Sequence, residues 1–357
     1  MRLLEYQVKN LFRQYGLPVP VGRAASTARE VKNIAEDIGK AVVIKAQVPV
    51  ERRGEQGGIR VARTPVEAEE IASEMMTARI AGFSVDKLQV DEAISIQDEY
   101  SIVLSIDRAT RCPVLLLYTG STIRIETAAN AIPDDAAKIS IDPLIGLQRY
   151  QVRNLAHMVE FPAVHLPVFI QICSRMWKLF EELDACYIAL SPLVITENQR
   201  VMALDGKIIL DQCAGFRQSF IFDHSFMRRL RPNELEANKQ GFVYLEFGGE
   251  NSIACMANGT GLALATMDLV IEAGGTVADL VDIGSRSVTD HSGRALSLLL
   301  QDLSVRAIVV NIYGNMVSCL DIAKRLLNVW NEVERRIPVF VNFSGRDKME
   351  ANGLLQD

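Results

Sequence analysis

The chain has little from which to build a metal or redox centre. Its six cysteines, Cys112, Cys173, Cys186, Cys213, Cys255 and Cys319, are scattered, and no two stand at a C-x-x-C spacing. Most fall in apolar stretches, where a free thiol behaves as a small hydrophobe. That usage fits a reducing, cytoplasmic setting rather than a disulfide scaffold. The four histidines, His157, His165, His224 and His291, are equally dispersed. No apolar run reaches the ~18 residues that would cross a bilayer. The opening Met1-Arg2-Leu3-Leu4-Glu5 lacks the layout of a signal peptide, because polar residues interrupt any apolar segment. Positive charge is not in excess: 38 Lys and Arg against 44 Asp and Glu leave a net charge of −6, which argues against nucleic acid or an anionic membrane as the main partner. There is no G-x-x-x-x-G-K-[ST], so the chain is not a P-loop NTPase. It also carries no short repeat and no low-complexity segment.

What is there is a globular composition. The 357 residues are 49% hydrophobic, enough for two or three domains with cores of their own. Leu4, Val8, Leu11, Phe12 and Tyr15 share one helical face, and Gly16, Pro18 and Pro20 end that helix. Thr27 and Glu30 form a capping box for a second helix that Gly39 closes. AVVIKAQV then reads as a buried strand, and Thr64-Pro65 opens a third helix. KLQVDEAI, EYSIVLSIDR, PVLLLY, CYIAL and VMALDG predict strands of antiparallel character, interrupted by a helix over HLPVFIQICSRMWKLFEEL. After about Gly241 the pattern changes. FVYLEF, SIACMAN, VADLVDI, RAIVVNIYG and PVFVNF are strand runs, and all but the first pair are separated by helical stretches, which predicts βαβ units and a parallel sheet. The polar stretch from Phe222 to Gly241 reads as a linker.

Four features carry chemistry, and each has a plain structural alternative. Lys45 lies within VVIKAQV, where its charge could not be buried alone. Either its ammonium reaches nucleotide phosphates, or it is a strand-edge lysine whose head reaches water. The following Arg52, Arg53, Gly54, Gly57 and Gly58 favour phosphate, since glycine admits close backbone approach and arginine donates charge-assisted hydrogen bonds. Asp205, at a strand end before Gly206, can hold Mg²⁺ or simply form a turn. Asn258-Gly259-Thr260-Gly261 links a strand to a helix, and Thr260 is placed to cap it. Such a turn either binds an anion or is an ordinary connection. The turns at Asp282 to Ser287 and at Asn311 to Asn315 lie at strand carboxyl ends of the same sheet, where open α/β folds bind ligands.

Taken in order, LLEYQVKNLF with YGLPVPVG, VIKAQV with RRG and GGIRV, SPLVIT with VMALDGK, NGTGLALATMDLV with AGG, and RAIVVNIYG resemble the β subunit of succinyl-CoA synthetase (succinate–CoA ligase). The resemblance runs from Leu3 to about Phe343, and FVYLEF is most like the cyanobacterial branch. It implies an α/β protein with an ATP-grasp region over residues 1–230, including a smaller subdomain over 21–95. A flavodoxin-like, parallel-sheet CoA-ligase domain would follow over 241–357. It implies ATP or GTP with Mg²⁺, and a partner α subunit that binds CoA and carries the phosphorylated histidine. Carried over by position, Lys45, Arg53, Gly54 and Asp91 would bind nucleotide, and Ser191 and Asp205 would hold Mg²⁺. Asn258, Gly259, Thr260, Gly261, Gly284 and Gly314 would line the succinate and phosphate site. No residue of this chain is assigned as catalytic.

The family pattern is broken in four places. The Glu-Ile-Asn-Pro-Leu motif reads Ala189-Leu190-Ser191-Pro192-Leu193, which removes a carboxylate and replaces the Mg²⁺-binding Asn by Ser191. Losing a positioned acid–base group typically costs ~10²–10⁴ in rate. Glu51 and Glu55 bring negative charge to the phosphate loop, and Ser285, Arg286 and Asn315 replace glycines. The sequence stops at Asp357, short of the family's usual last strand and helix, which predicts an uncovered edge. These departures leave three alternatives to the ligase subunit: a catalytically impaired paralogue with a binding or regulatory role, a malate– or citrate–CoA ligase subunit, or a structural protein with a decayed site and no ligand.

Overall fold

The computed structural model describes every residue except 51–52, 81, 121–135, 219–229, 248–251, 285–288 and 357. The chain divides into two compact units, Met1–Phe222 and Asp223–Asp357.

The first unit opens with α1 (Glu5–Gln14), which buries Val8, Leu11 and Phe12 as their spacing predicts, and buries Lys9 as well. There follow β1 (Gly22–Ala25), α2 (Ala28–Ile38), β2 (Val42–Ala46), β3 (Ile59–Ala62), α3 (Pro65–Thr77), the short β4 (Arg79–Ile80) and β5 (Phe83–Ser84), and β6 (Leu88–Glu92). The punctuation of α2 is that of the sequence: the Thr27 hydroxyl accepts from Glu30 N at 3.2 Å, and Gly39 takes a left-handed φ of 69°. Four strands form an antiparallel sheet in the order β1-β6-β2-β3. Val31, Ile34, Ile71 and Ala72 of α2 and α3 share a core with Ile44, Leu88 and Val90 of the sheet. Each such valine, leucine or isoleucine side chain, once fully buried, contributes ~1.5–3 kcal/mol.

The second sheet is built from β7 (Ile96–Asp107), β8 (Cys112–Thr119), β9 (Ala137–Ser140), β10 (Ala185–Thr196), β11 (Val201–Ala203) and β12 (Gly206–Leu210). Its order is β11-β10-β7-β8-β9, with β12 also on β10, and every pairing is antiparallel. Between β9 and β10 run α4 (Arg149–Met158) and α5 (Leu166–Glu182). Helix α4 escapes the sequence reading because only Val152, Leu155 and Ala156 of its ten residues are buried. The pleat sets two faces: Ile188, Leu104 and Leu115 align in one row, and Ala189, Val103 and Leu116 align in the next, on the opposite face.

In the second unit α6 (Pro232–Gln240) stands within the stretch read as a linker; the part of that stretch up to residue 229 lies outside the described residues. Its signals are local: Pro232 begins the helix, Glu234 accepts from Arg231 N at 3.1 Å, and Gly241 ends it with φ 86°. Ala237 is fully buried and anchors it. Then come β13 (Val243–Glu246), β14 (Ser252–Ala257), α7 (Thr260–Glu272), β15 (Val277–Asp282), α8 (Thr289–Gln301), β16 (Val305–Gly314), α9 (Cys319–Glu332), β17 (Val339–Gly345) and α10 (Lys348–Gln356). The sheet order is β13-β15-β14-β16-β17, parallel except for β13. Met256, Leu299, Ile308, Ile312, Ile322 and Leu326 belong to the main core, while Cys255, Ala257, Ala263 and Leu280 form a smaller one against α7. Strand β17 is the sheet edge, and Phe340 on it is 63% exposed. Helix α10 packs beside this strand.

Candidate functional site

Lys45 is buried, so its ammonium requires counter-charges within the protein. It donates to Glu5 Oε1 at 2.7 Å and to the Leu204 carbonyl at 3.0 Å, and lies 3.7 Å from Asp91 Oδ2. Glu5 comes from the first turn of α1. Lys9, one turn further on and fully buried, stands 2.9 Å from Glu5 Oε1 and pairs with Asp91. The Arg53 guanidinium binds Glu5 Oε2 and approaches Asp205 Oδ2 to 3.5 Å. Three cations thus face three carboxylates. Burial alone would raise the Glu5 carboxyl, but Lys45, Lys9 and Arg53 outweigh it and hold the group well below the usual carboxylate range. Burial would likewise lower Lys45, and Glu5, Asp205 and Asp91 raise it instead.

The backbone after β2 delivers Arg53 to this cluster. A 3₁₀ turn over Arg53–Gln56 is followed by Gly57 at φ 77°. Gly58 N donates to Arg53 O at 2.7 Å, and a Cβ on Gly58 would lie 2.7 Å from that same oxygen, so only glycine fits. Gly58 O accepts from Ala46 N at 2.8 Å, tying the turn to the end of β2. Gly54 shares the turn; a Cβ there would touch Ile59 at an ordinary 3.4 Å. Asp91 is buried behind Lys45, with Oδ1 accepting from Gln89 Nε2 at 2.7 Å and Oδ2 paired with Lys9. Glu51 and Arg52 lie outside the described residues.

Asp205 connects β11 to β12. Its carbonyl accepts from Ser191 N at 3.3 Å, which sets Ser191 and Asp205 side by side. A Cβ on the next residue, Gly206, would fall 2.3 Å from the Phe12 ring; this close approach to α1 brings Asp205 to the Glu5 group. The carboxylate is 31% exposed and accepts from Gly206 N at 2.7 Å. Burial and the nearby Glu5 raise its carboxyl above the usual value, against the pull of Lys45 and Arg53. The Ser191 hydroxyl is 2.9 Å from that of Ser101. Among the described residues no three His, Cys, Asp or Glu side chains cluster as a metal cage. One carboxylate beside one hydroxyl is the sparse, all-oxygen donor set that suits Mg²⁺, an ion that keeps several waters and takes phosphate oxygens. The residues present therefore fit that ion. Ala189 packs in an apolar cluster with Val103, Leu116, Tyr118 and Tyr187, and Lys207 stands opposite it on β12.

The loops of the second unit are knitted by two side chains. Asn258 donates to Tyr313 O at 2.8 Å and accepts from Tyr313 N at 2.7 Å, joining the ends of β14 and β16. Asp282 accepts from Gly259 N and Gly284 N, both at 2.8 Å, and from the Thr260 hydroxyl at 2.6 Å. Thr260 is thus not the cap of α7 that the sequence predicts. Gly259 takes the N-cap position, at a φ of 128° that disfavours side chains, and Thr260 becomes the first helical residue. Gly259, Gly261 and Gly284 border open space, whereas a Cβ on Gly314 would meet Cys319 Sγ at 2.7 Å and Arg346 O at 2.8 Å. Gly314 serves packing against the turn after β17. Ser285 and Arg286 lie outside the described residues. A cavity of about 540 Å³ is lined by Thr266, Val270, Asn311 and Asn342 among others, so it meets the stretch from Asn311 to Asn315 only at Asn311.

Residues 2–195 match the ATP-grasp domain family, and residues 256–357 match the CoA-ligase family. The chain is 36% identical, over all of its length and 94% of the relative, to the succinate–CoA ligase [ADP-forming] subunit beta of Herpetosiphon aurantiacus. The same identity, over all of this chain and 93% of the relative, is found with the succinate–CoA ligase [GDP-forming] subunit beta of Thermus thermophilus. The chain belongs to the succinate–CoA ligase β-subunit family. The fold extends further: the ATP citrate lyase of Methanothrix soehngenii, solved with citrate and coenzyme A, superimposes with a TM-score of 0.70 at 15% identity, covering all of this chain and 92% of that one.

In this β-subunit fold, Lys45, Arg53, Asp91 and Asp205 come together, with Ser191 beside Asp205, as the motif order implies. Glu5 and Lys9 are the residues that sequence reasoning missed; Asp282 was read only as the start of a turn. Glu5 and Lys9 stand four apart on a helix, a spacing shared by ordinary surface ion pairs.

Proposed function

We propose that this chain is the nucleotide-binding β subunit of a succinate–CoA ligase, working with an α subunit whose histidine carries phosphate between nucleotide and succinate. The observation that carries the reading is the convergence of Lys45, Arg53 and Asp205 in one charged cluster, where Asp205 is the carboxylate left partly exposed. Lys45 and Arg53 bind the nucleotide phosphates and orient the terminal one. Asp205 and Ser191 hold Mg²⁺, which when bound neutralises charge that develops on the transferred phosphoryl group. With Ala189 in place of an acid–base group, the chain contributes positioning and electrostatic stabilisation rather than proton transfer. Asn258, Gly259, Thr260, Gly261 and Gly284 receive the carboxylate or phosphate end of the acid, with Asp282 fixing their loops. The nucleotide is ATP or GTP, in keeping with relatives that include both ADP- and GDP-forming proteins. A cytoplasmic location agrees with the free cysteines; no helix among the described residues is long and apolar enough to cross a membrane.

The test mixes the purified chain with a succinyl-CoA synthetase α subunit and follows label from γ-³²P nucleotide with Mg²⁺ onto the α histidine. Label transfer supports the ligase role. A complex that forms on gel filtration but transfers no label favours the impaired paralogue, a reading supported by the apolar packing around Ala189.

A further inference from the structure

We infer that Glu5, backed by Lys9, is a positioning residue that holds Lys45 and Arg53 as a fixed pair of phosphate-binding cations. The inference rests on the nucleotide reading above and deepens it. Its ground is the division of labour within one carboxylate. Oε1 takes Lys45 at 2.7 Å and Lys9 at 2.9 Å, while Oε2 takes Arg53. The Glu5 side chain is 2% exposed, so it cannot itself reach a ligand in solvent, whereas the side chains of Lys45 and Arg53 are 10% and 12% exposed and remain in reach. Glu5 comes from α1, 40 positions before Lys45 on β2 and 48 before Arg53 in the turn that follows β2. The turn after β2 brings Arg53 beside Lys45, and the shared carboxylate then holds the two side-chain heads at a set spacing.

Lys9 has a different part. It is fully buried and pairs with both Glu5 and Asp91. It supplies the third positive charge that balances Glu5, Asp91 and Asp205, so the cluster is neutral before ligand arrives. Protein kinases use a comparable device, in which a helix glutamate holds the strand lysine that meets the nucleotide phosphates. The arrangement here extends it to two cations on one carboxylate. Preorganisation of this kind counts because an unfixed lysine or arginine must surrender rotamer freedom on binding.

Two opposite outcomes follow from neutralising Glu5, so the sign of the effect decides. If Glu5 merely competes with phosphate for the cations, Glu5→Gln leaves three cations against two carboxylates and tightens anion binding. If Glu5 positions them, Arg53 keeps only its longer, 3.5 Å approach to Asp205 and the pair comes apart. The experiment titrates the full chain, with and without Glu5→Gln, with ATP, GTP and adenosine by calorimetry or ligand-observed NMR. The expected result is a tenfold or greater loss of nucleoside triphosphate affinity in Glu5→Gln with adenosine binding unchanged within twofold. Equal or tighter triphosphate binding overturns the inference. So does a parallel loss of adenosine, which would mark Glu5 as a structural residue only. Glu5→Asp keeps the charge but not the reach to both cations; it is expected to fall between the two and carries the same comparison if Glu5→Gln does not melt cooperatively. A wild-type chain that binds no triphosphate overturns the nucleotide reading itself, and this inference with it.

Discussion

Replacing Asp279 by asparagine should stabilise the second unit, and more so as the pH rises. Asp279 lies on β15, fully buried, and neither carboxylate oxygen has a hydrogen-bond partner among the described residues. The Tyr244 hydroxyl on β13 is near enough to pull the carboxyl down in part. Burial, with Asp302 and Glu246 adding like charge, raises the Asp279 carboxyl from 3.8 to about 7, against the pull of Tyr244 and of Arg231. A raised acid favours the protonated fold. The full stability is present below the unfolded value of 3.8 and is lost progressively as pH climbs through 7. At about 1.4 kcal/mol per pH unit, the penalty is about 2 kcal/mol at pH 5 and about 4 kcal/mol at pH 8. An amide of the same shape carries no charge and escapes this penalty. Thermal melting of Asp279→Asn and wild type, followed by circular dichroism at pH 5 and pH 8, should show the variant ahead at both, with its lead at pH 8 on the order of 10 °C. A lead that does not grow between the two pH values would refute the reasoning, because it would mean that Asp279 is ionised or satisfied in the fold throughout.

Other tests follow from the packing and the charges. Lys9→Met removes the direct counter-charge of buried Asp91 and leaves two cations against three carboxylates, and should lower unfolding free energy by about 3–5 kcal/mol in a denaturant titration. Removing the Arg23–Asp37 pair, both side chains of which are about 60% exposed, should cost less than about 1 kcal/mol in the same assay. Gly206→Ala drives a methyl into the Phe12 ring and should destabilise the first unit by about 1–3 kcal/mol, read as a lower melting temperature. The double change Ala189→Glu with Ser191→Asn restores the family's carboxylate and amide, and Lys207 stands opposite position 189 to pair with the new charge. The expected outcome is faster phosphoryl transfer to the α histidine in the reconstituted complex. An unchanged rate in a folded complex would show that these two positions do not limit the chemistry.

Much of the architecture was legible because it is written in short-range signals. Thr27 with Glu30 and Gly39 bounded α2, Pro65 opened α3, and the alternation of apolar runs with helical stretches after Gly241 gave a largely parallel sheet. Helix α4 was missed for the opposite reason: its apolar stripe is too thin to stand out from a polar segment. Within the site, Lys45 and Asp205 were visible as charged residues in or at the end of buried strands. Glu5 and Lys9 were not, because a glutamate and a lysine four apart on a helix look alike whether they face water or other charges.

The sequence by itself determined where the well-capped helices α2 and α3 begin, which faces are apolar and which segments resemble a known family. Those properties depend on residues within a turn or two of each other. Only the tertiary structure decided that Lys9 is interior, that one carboxylate serves Lys45 and Arg53 together, and that Asp279 goes unpaired. Each of these turns on partners tens of residues away, such as Asp91 for Lys9 across 82 positions. A buried charge is defined by what surrounds it, and the surroundings exist only once the sheets have closed on the helices.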